Sequence, residues 1–218
     1  MQKKLFSVKE MVLIAMLAAI AYVIVALVRI PVVLFLKYEP KDVIITIGGF
    51  LLGPLAAFIT SLVVSLVEMV SISDTGPIGA LMNLLSTCSF ACTAAYVYKK
   101  RHTLSGAILG LILGSVVMVI AMLLWNWLIT PLYMGVDRSA VEGMLIPMFL
   151  PFNLLKAGLN SALVLVLYKP LVTALRKANL VPSQAKSSGK GNKTGVWLLG
   201  LIMLATCILL LLVFQGKI

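Results

Sequence analysis

A succession of long apolar runs separated by short basic clusters constrains this chain more than any other feature. The runs cover residues 11–28, 42–70, 79–98, 104–130, 147–168 and 196–214. Each is close to, or longer than, the roughly 20 residues with which a helix crosses the hydrocarbon of a bilayer. Only 11% of the 218 residues are charged, against about 25% in ordinary soluble domains. The expected fold class is an all-α membrane protein, because only closed hydrogen-bonded structures such as helices satisfy their backbone in lipid. The length leaves room for one compact bundle.

The net charge of +11 raises the question of nucleic acid. Its lysines and arginines sit between the apolar runs, however, where they act as topology signals, so no nucleic-acid partner is expected. Lys3, Lys4 and Lys9 precede the first run, which reads as a retained span and not a cleaved signal. Cys88, Cys92 and Cys207 all lie inside apolar runs without the further ligands that a metal site requires.

Residues 42–70 decide the topology. Twenty-nine residues reach roughly 43 Å as a helix, long for one crossing and short for two, and Gly48, Gly49, Gly53 and Pro54 offer a reversal in the middle. With two crossings, twelve cationic residues fall on the cytoplasmic side and five, namely Arg29, Lys37, Lys41, Arg138 and Lys217, fall outside; with one, the distribution inverts. The positive-inside rule selects two crossings and a cytoplasmic N-terminus. The expected organisation is a six-span membrane domain over 1–176, a basic, flexible cytoplasmic linker over 177–195, and an extra C-terminal span within 196–218, making seven spans. Residues 131–145 read as an external loop. Residues 30–41, broken by Pro31 and Pro40 but apolar, read as a lid over a cavity or a loop on the bilayer interface.

Small residues mark two packing faces. Gly106, Gly110 and Gly114 recur every fourth residue in the fifth span, and Ala15 and Ala19 stand one turn apart in the first. Such stripes let helices approach closely. For the alanines, packing inside the bundle and docking on a partner are both open.

Nothing in the chain carries enzymatic chemistry. It has neither a phosphate-binding Gly-x-x-x-x-Gly-Lys-Ser/Thr loop nor His-Glu-x-x-His, and its one histidine, His102, sits in a basic cluster. The informative side chains are polar ones at lipid depth, which are expensive and therefore functional candidates. Asn153, Lys156 and Asn160 share one face of the sixth span; Asn126 stands between Trp125 and Trp127, and Asn83 lies near the start of the fourth span. The derived topology puts Asn83, Asn126, Asn153 and Lys156 toward the outer side, with Asn160 deeper. Amides that both donate and accept suit a ring edge alternating C=O and N–H, aromatic walls suit a flat ring, and lysine adds a charge-assisted donor. Structural alternatives stand beside this: asparagines joining helices, and Lys156 reaching the interface or pairing with Glu68.

Several of these residues resemble a known family. Gly48-Gly49-Phe50-Leu51-Leu52-Gly53-Pro54-Leu55-Ala56, Gly79-Ala80-Leu81-Met82-Asn83, Asn126 with Pro131-Leu132-Tyr133, and Pro151-Phe152-Asn153-Leu154-Leu155-Lys156 are together similar to the riboflavin-binding (RibU) S components of energy-coupling factor (ECF) transporters. The resemblance implies a six-helix bundle that captures riboflavin from outside a bacterial cell membrane. It implies ligand contacts at Asn126, Asn153, Lys156 and Asn83, and an Ala15/Ala19 face docking on a T component that carries two ATPase subunits. No cofactor is implied, and riboflavin is the cargo. The 196–214 run lies outside this pattern. An S component for another vitamin such as pantothenate, with Lys156 on its carboxylate, and a stand-alone secondary transporter are the alternatives.

Overall fold

A computed structural model of the chain describes residues 6–33, 36–73, 75–178 and 193–215. Helix α1 (Val8–Leu27) starts at a capping box in which the Glu10 amide donates to Ser7 Oγ and the Ser7 amide donates to the Glu10 carboxylate. A short antiparallel hairpin follows, β1 (Ile30–Val33) and β2 (Leu36–Tyr38), with Ile30 opposite Tyr38. The described residues of the apolar segment at 30–41 thus include a regular hairpin. Val32, Leu36 and Tyr38 turn inward onto Val141, Phe149 and Phe152.

Helices α2 (Lys41–Leu52) and α3 (Pro54–Ser71) meet at Gly53, whose φ of 97° and ψ of 173° fall where an L side chain is strained. The chain reverses there. A Cβ on Gly49 would stand 3.0 Å from the Cβ of Ala57, although these residues flank Gly53 by four positions each and would lie about 12 Å apart along a continuous helix. The expected reversal is present, but the first arm differs from a full crossing. Twelve residues reach only about 18 Å. Every residue from Lys41 to Phe50 is buried, so α2 is an interior helix wrapped by its neighbours, with no lipid-facing length to match. Gly48 and Gly49 make this possible by admitting Leu17 of α1 and Ala95 of the helix over Gly76–Arg101 to their surfaces.

Helix α4 (Gly76–Arg101) ends at His102 in the left-handed conformation, and α5 (Leu104–Met134) returns against it. The glycine stripe explains the closeness: a Cβ on Gly110 would lie 2.7 Å from the Ala94 carbonyl oxygen, and one on Gly114 2.6 Å from that of Phe90. The external loop expected at 131–145 is largely helical instead. Helix α5 runs through Pro131 to Met134, and α6 (Arg138–Met144) folds back on it, with Trp127 Nε1 donating to Glu142 at 2.9 Å and Arg138 stacked on the Trp127 ring. A π-helical stretch at Leu145–Phe149 leads into α7 (Leu150–Lys177), which extends nine residues beyond the expected end at Tyr168. Helix α8 (Lys193–Phe214) is the additional C-terminal helix. Most of the linker expected at 177–195 lies outside the described residues. Among the described residues six helical stretches are long and apolar enough to cross a membrane, and α2 is not among them. The result is a six-helix bundle, α1 to α5 and α7, with α8 alongside.

Candidate functional site

The polar side chains converge where β2, the start of α2, α4 and the first half of α7 meet. Asp42, in the first turn of α2, is fully buried and meets three side chains from two other helices. Thr87 Oγ1 donates to its Oδ1 at 2.6 Å, Asn160 Nδ2 donates to its Oδ2 at 3.2 Å, and Lys156 Nζ stands 3.3 Å from Oδ2. A first-turn carboxylate also faces the positive end of the α2 dipole. Lys156 donates in addition to Ser86 Oγ of α4 at 2.9 Å, and Tyr38 of the hairpin donates to Asn160 Oδ1 at 3.1 Å. One carboxylate therefore ties three helices together, and Asn160 connects it to the hairpin.

A second cluster adjoins the first. Lys41 Nζ binds Glu68 Oε1 at 2.6 Å and Glu39 Oε2 at 2.7 Å; Arg29 Nη2 closes on Glu39 Oε1 at 3.0 Å. Asn83 Nδ2 donates to Glu68 Oε2 at 3.2 Å and to Glu39 Oε2 at 3.4 Å. Burial alone drives the Glu39 carboxyl upward, but Lys41, Lys156 and Arg29 outweigh it and hold it below the ordinary carboxylate value. Across both clusters three cations (Arg29, Lys41, Lys156) face three carboxylates (Glu39, Asp42, Glu68). Charges this deep persist only when paired and hydrogen-bonded.

Lys156 thus pairs with Asp42 and not with Glu68, which Lys41 occupies. Asn160, expected to lie deeper than the ligand contacts, shares Asp42 with Lys156. Asn126 is buried, donating from Nδ2 to the Met122 carbonyl at 2.7 Å and accepting from Thr130 Oγ1 at 2.9 Å. Asn153 is buried too and donates to the Phe149 carbonyl at 2.7 Å. Each spends one amide N–H on its own helix and keeps a second. Between the first turns of α4 and the last turns of α5 opens a cleft of about 260 Å³, its open mouth included, lined by Gly79, Met82, Trp125, Ile129, Thr130 and Tyr133. Met82 precedes Asn83 and lies one turn before Ser86, the partner of Lys156, while Trp125 and Thr130 flank Asn126. The space within it that water-sized molecules can occupy is only about 10 Å³, far below the ~300–1,000 Å³ usual for ligand sites.

Asp42, Ser86, Thr87 and Tyr38 were not singled out by spacing. Asp42 reads in sequence as an ordinary first-turn acid, and its partner Asn160 is 118 positions away.

On α1, Leu13, Leu17, Ala18 and Ala21 face the bundle, whereas Ala15 and Ala19 are exposed. The alanine stripe is not used for packing among the described residues.

A multi-pass helical bundle with a polar, charge-matched interior beneath a hairpin, and an uncovered small-residue face on its first helix, defines a membrane transport component rather than an enzyme. Residues 9–168 match the family described as the substrate-specific component of ECF transporters, and the chain belongs to that family. It is 30% identical to the riboflavin transporter RibU of Staphylococcus aureus, over 78% of this chain and 93% of that protein. It is 28% identical to the riboflavin transporter FmnP of Bacillus subtilis, over 79% and 98% of the two chains. Among solved structures, the S component of a bacterial ECF transporter superposes with a TM-score of 0.65 at 30% identity, covering 77% of this chain and 98% of that one. The protein is accordingly a multi-pass membrane protein of the S-component class, a class that works with an ECF energising module.

Proposed function

We propose that this chain captures riboflavin at the outer face of a bacterial cell membrane and delivers it inward with an ECF module of one T component and two ATPase subunits. Asn126, Asn153, Lys156 and Asn83 are its proposed ligand contacts, and the exposed Ala15 and Ala19 its docking face. The N-terminus is cytoplasmic in this reading, which rests on the distribution of basic residues, and the chain divides into the binding domain (1–176), the linker (177–195) and the extra segment (196–218).

The observation that carries the choice of ligand is the pairing of Lys156 with Asp42. Because two buried lysines and the half-buried Arg29 already meet three buried carboxylates, an incoming anion would add an uncompensated charge at low dielectric, whereas a neutral ring adds none. That favours a neutral flavin, for which Lys156 and the amides supply donors to ring oxygens, over a carboxylated vitamin such as pantothenate. The names of the two relatives point the same way.

Mass spectrometry of the ligand that copurifies from expressing cells tests the assignment. Riboflavin in the extract is the expected result, and a carboxylated vitamin in its place would refute it. Lys156→Met separates the two chemistries further: it should weaken binding of a neutral flavin about tenfold, the loss of one charge-assisted hydrogen bond, but would abolish binding of an anion.

A further inference from the structure

Helix α8 is the part of the chain that family membership leaves unexplained, since the family match ends at residue 168. It lies along α7, the helix that carries Asn153, Lys156 and Asn160. A Cβ on Gly200 would stand 3.1 Å from Val166 Cγ2 and 3.4 Å from the Ala162 carbonyl oxygen, and Cys207 Sγ comes within 2.9 Å of where a Cβ on Gly158 would be. Farther along, Leu211 is buried in the same cluster as Val32, Leu36 and Tyr38 of the hairpin. Just past the end of α8, Gln215 Nε2 donates to the Pro31 carbonyl oxygen at 2.8 Å. The hairpin is thus held inwardly by Tyr38 on Asn160 and by packing on Val141, Phe149 and Phe152, and peripherally by α8.

We propose that α8 is an intramolecular brace for the β1–β2 hairpin, and that Gln215 is a positioning residue which keeps the hairpin closed and thereby sets how fast bound ligand leaves. The site reading above is assumed for the ligand part of this proposal. The mechanism is mechanical coupling without any contact between α8 and the ligand. To open, the hairpin must move Pro31 and Val32, and with them break the Gln215 hydrogen bond and expose the contact with Leu211. Each such loss shifts the balance between closed and open hairpin toward open, and a hydrogen bond of this kind corresponds to about three- to tenfold in that equilibrium.

The test uses the full-length chain in lipid nanodiscs with two variants, Gln215→Leu, which removes the donor, and Gly200→Leu, which wedges α8 from α7. Amide hydrogen exchange is followed without ligand over residues 28–40, with α5 as the internal reference. Riboflavin association and dissociation are followed separately by flavin fluorescence. The expected result is exchange in the hairpin about three- to tenfold faster at unchanged α5 exchange, with riboflavin dissociation accelerated by a similar factor and the number of binding sites unchanged. Hairpin exchange equal to that of the parent protein in both variants would overturn the brace. Faster exchange with unchanged dissociation, or a loss of binding sites at unchanged dissociation rate, would overturn the positioning role of Gln215. If the parent protein binds no riboflavin, the ligand reading fails, while the exchange measurement still decides whether α8 braces the hairpin.

Discussion

At the scale of single residues, Asp42 is the group on which the site turns, because it receives Thr87, Asn160 and Lys156 at once. Removing one member of a buried ion pair leaves the other charge unsolvated, at a cost of about 3–5 kcal/mol. Lys156→Met and Asp42→Asn should therefore each lower the thermal unfolding temperature of the detergent-solubilised protein markedly. The double variant should cost less than the sum of the two, since neither charge is then stranded. Strict additivity in this cycle would mean that the two side chains do not act as a pair. Asp42→Asn should also shift selectivity, improving binding of anionic ligands relative to riboflavin, as competition measurements would read. The lysine and the asparagines are legible in the sequence because polar groups in apolar runs stand out by spacing alone. Their partners are not: which acid meets which base depends on how α2, α4 and α7 are placed, and no local pattern encodes that.

At the scale of elements, two backbone features fix how neighbouring helices meet. Gly53 adopts a conformation reserved for glycine, so Gly53→Ala should destabilise the α2–α3 turn by about 1–3 kcal/mol. Gly114→Ala drives a methyl group to 2.6 Å from the Phe90 carbonyl oxygen, a backbone atom that moves only if α4 moves, and should cost a comparable amount. Thermal unfolding monitored by size-exclusion chromatography checks both, and unchanged midpoints would contradict the close packing. Long apolar periods and the glycine-rich reversal were legible at this scale, as was the glycine face of α5. The shortness of α2 was not, because hydropathy cannot separate a helix buried in protein from one buried in lipid. Nor was the helical character of 131–144: Pro131 and the charged residues after it suggest a loop, whereas packing of Trp127 on Arg138 and Glu142 makes a helix there worthwhile.

At the scale of the whole molecule, the proposed function places binding and docking on different faces. Ala15 and Ala19 point away from the bundle, so Ala15→Trp or Ala19→Trp should leave riboflavin affinity within about twofold while abolishing uptake in cells that contain the ECF module. Impaired binding in the purified variants would place the stripe in the packing of the bundle instead. The sequence left the use of this stripe open, because small residues mark close approach without saying to what.

The central claim is that a neutral flavin occupies a charge-balanced site in this bundle, and titration of the purified, ligand-free protein with riboflavin tests it most directly. Flavin fluorescence should be quenched saturably at micromolar or lower ligand, with one site per chain, and excess pantothenate should not relieve the quenching. Absence of saturable quenching at micromolar riboflavin, or its relief by pantothenate, would contradict the account.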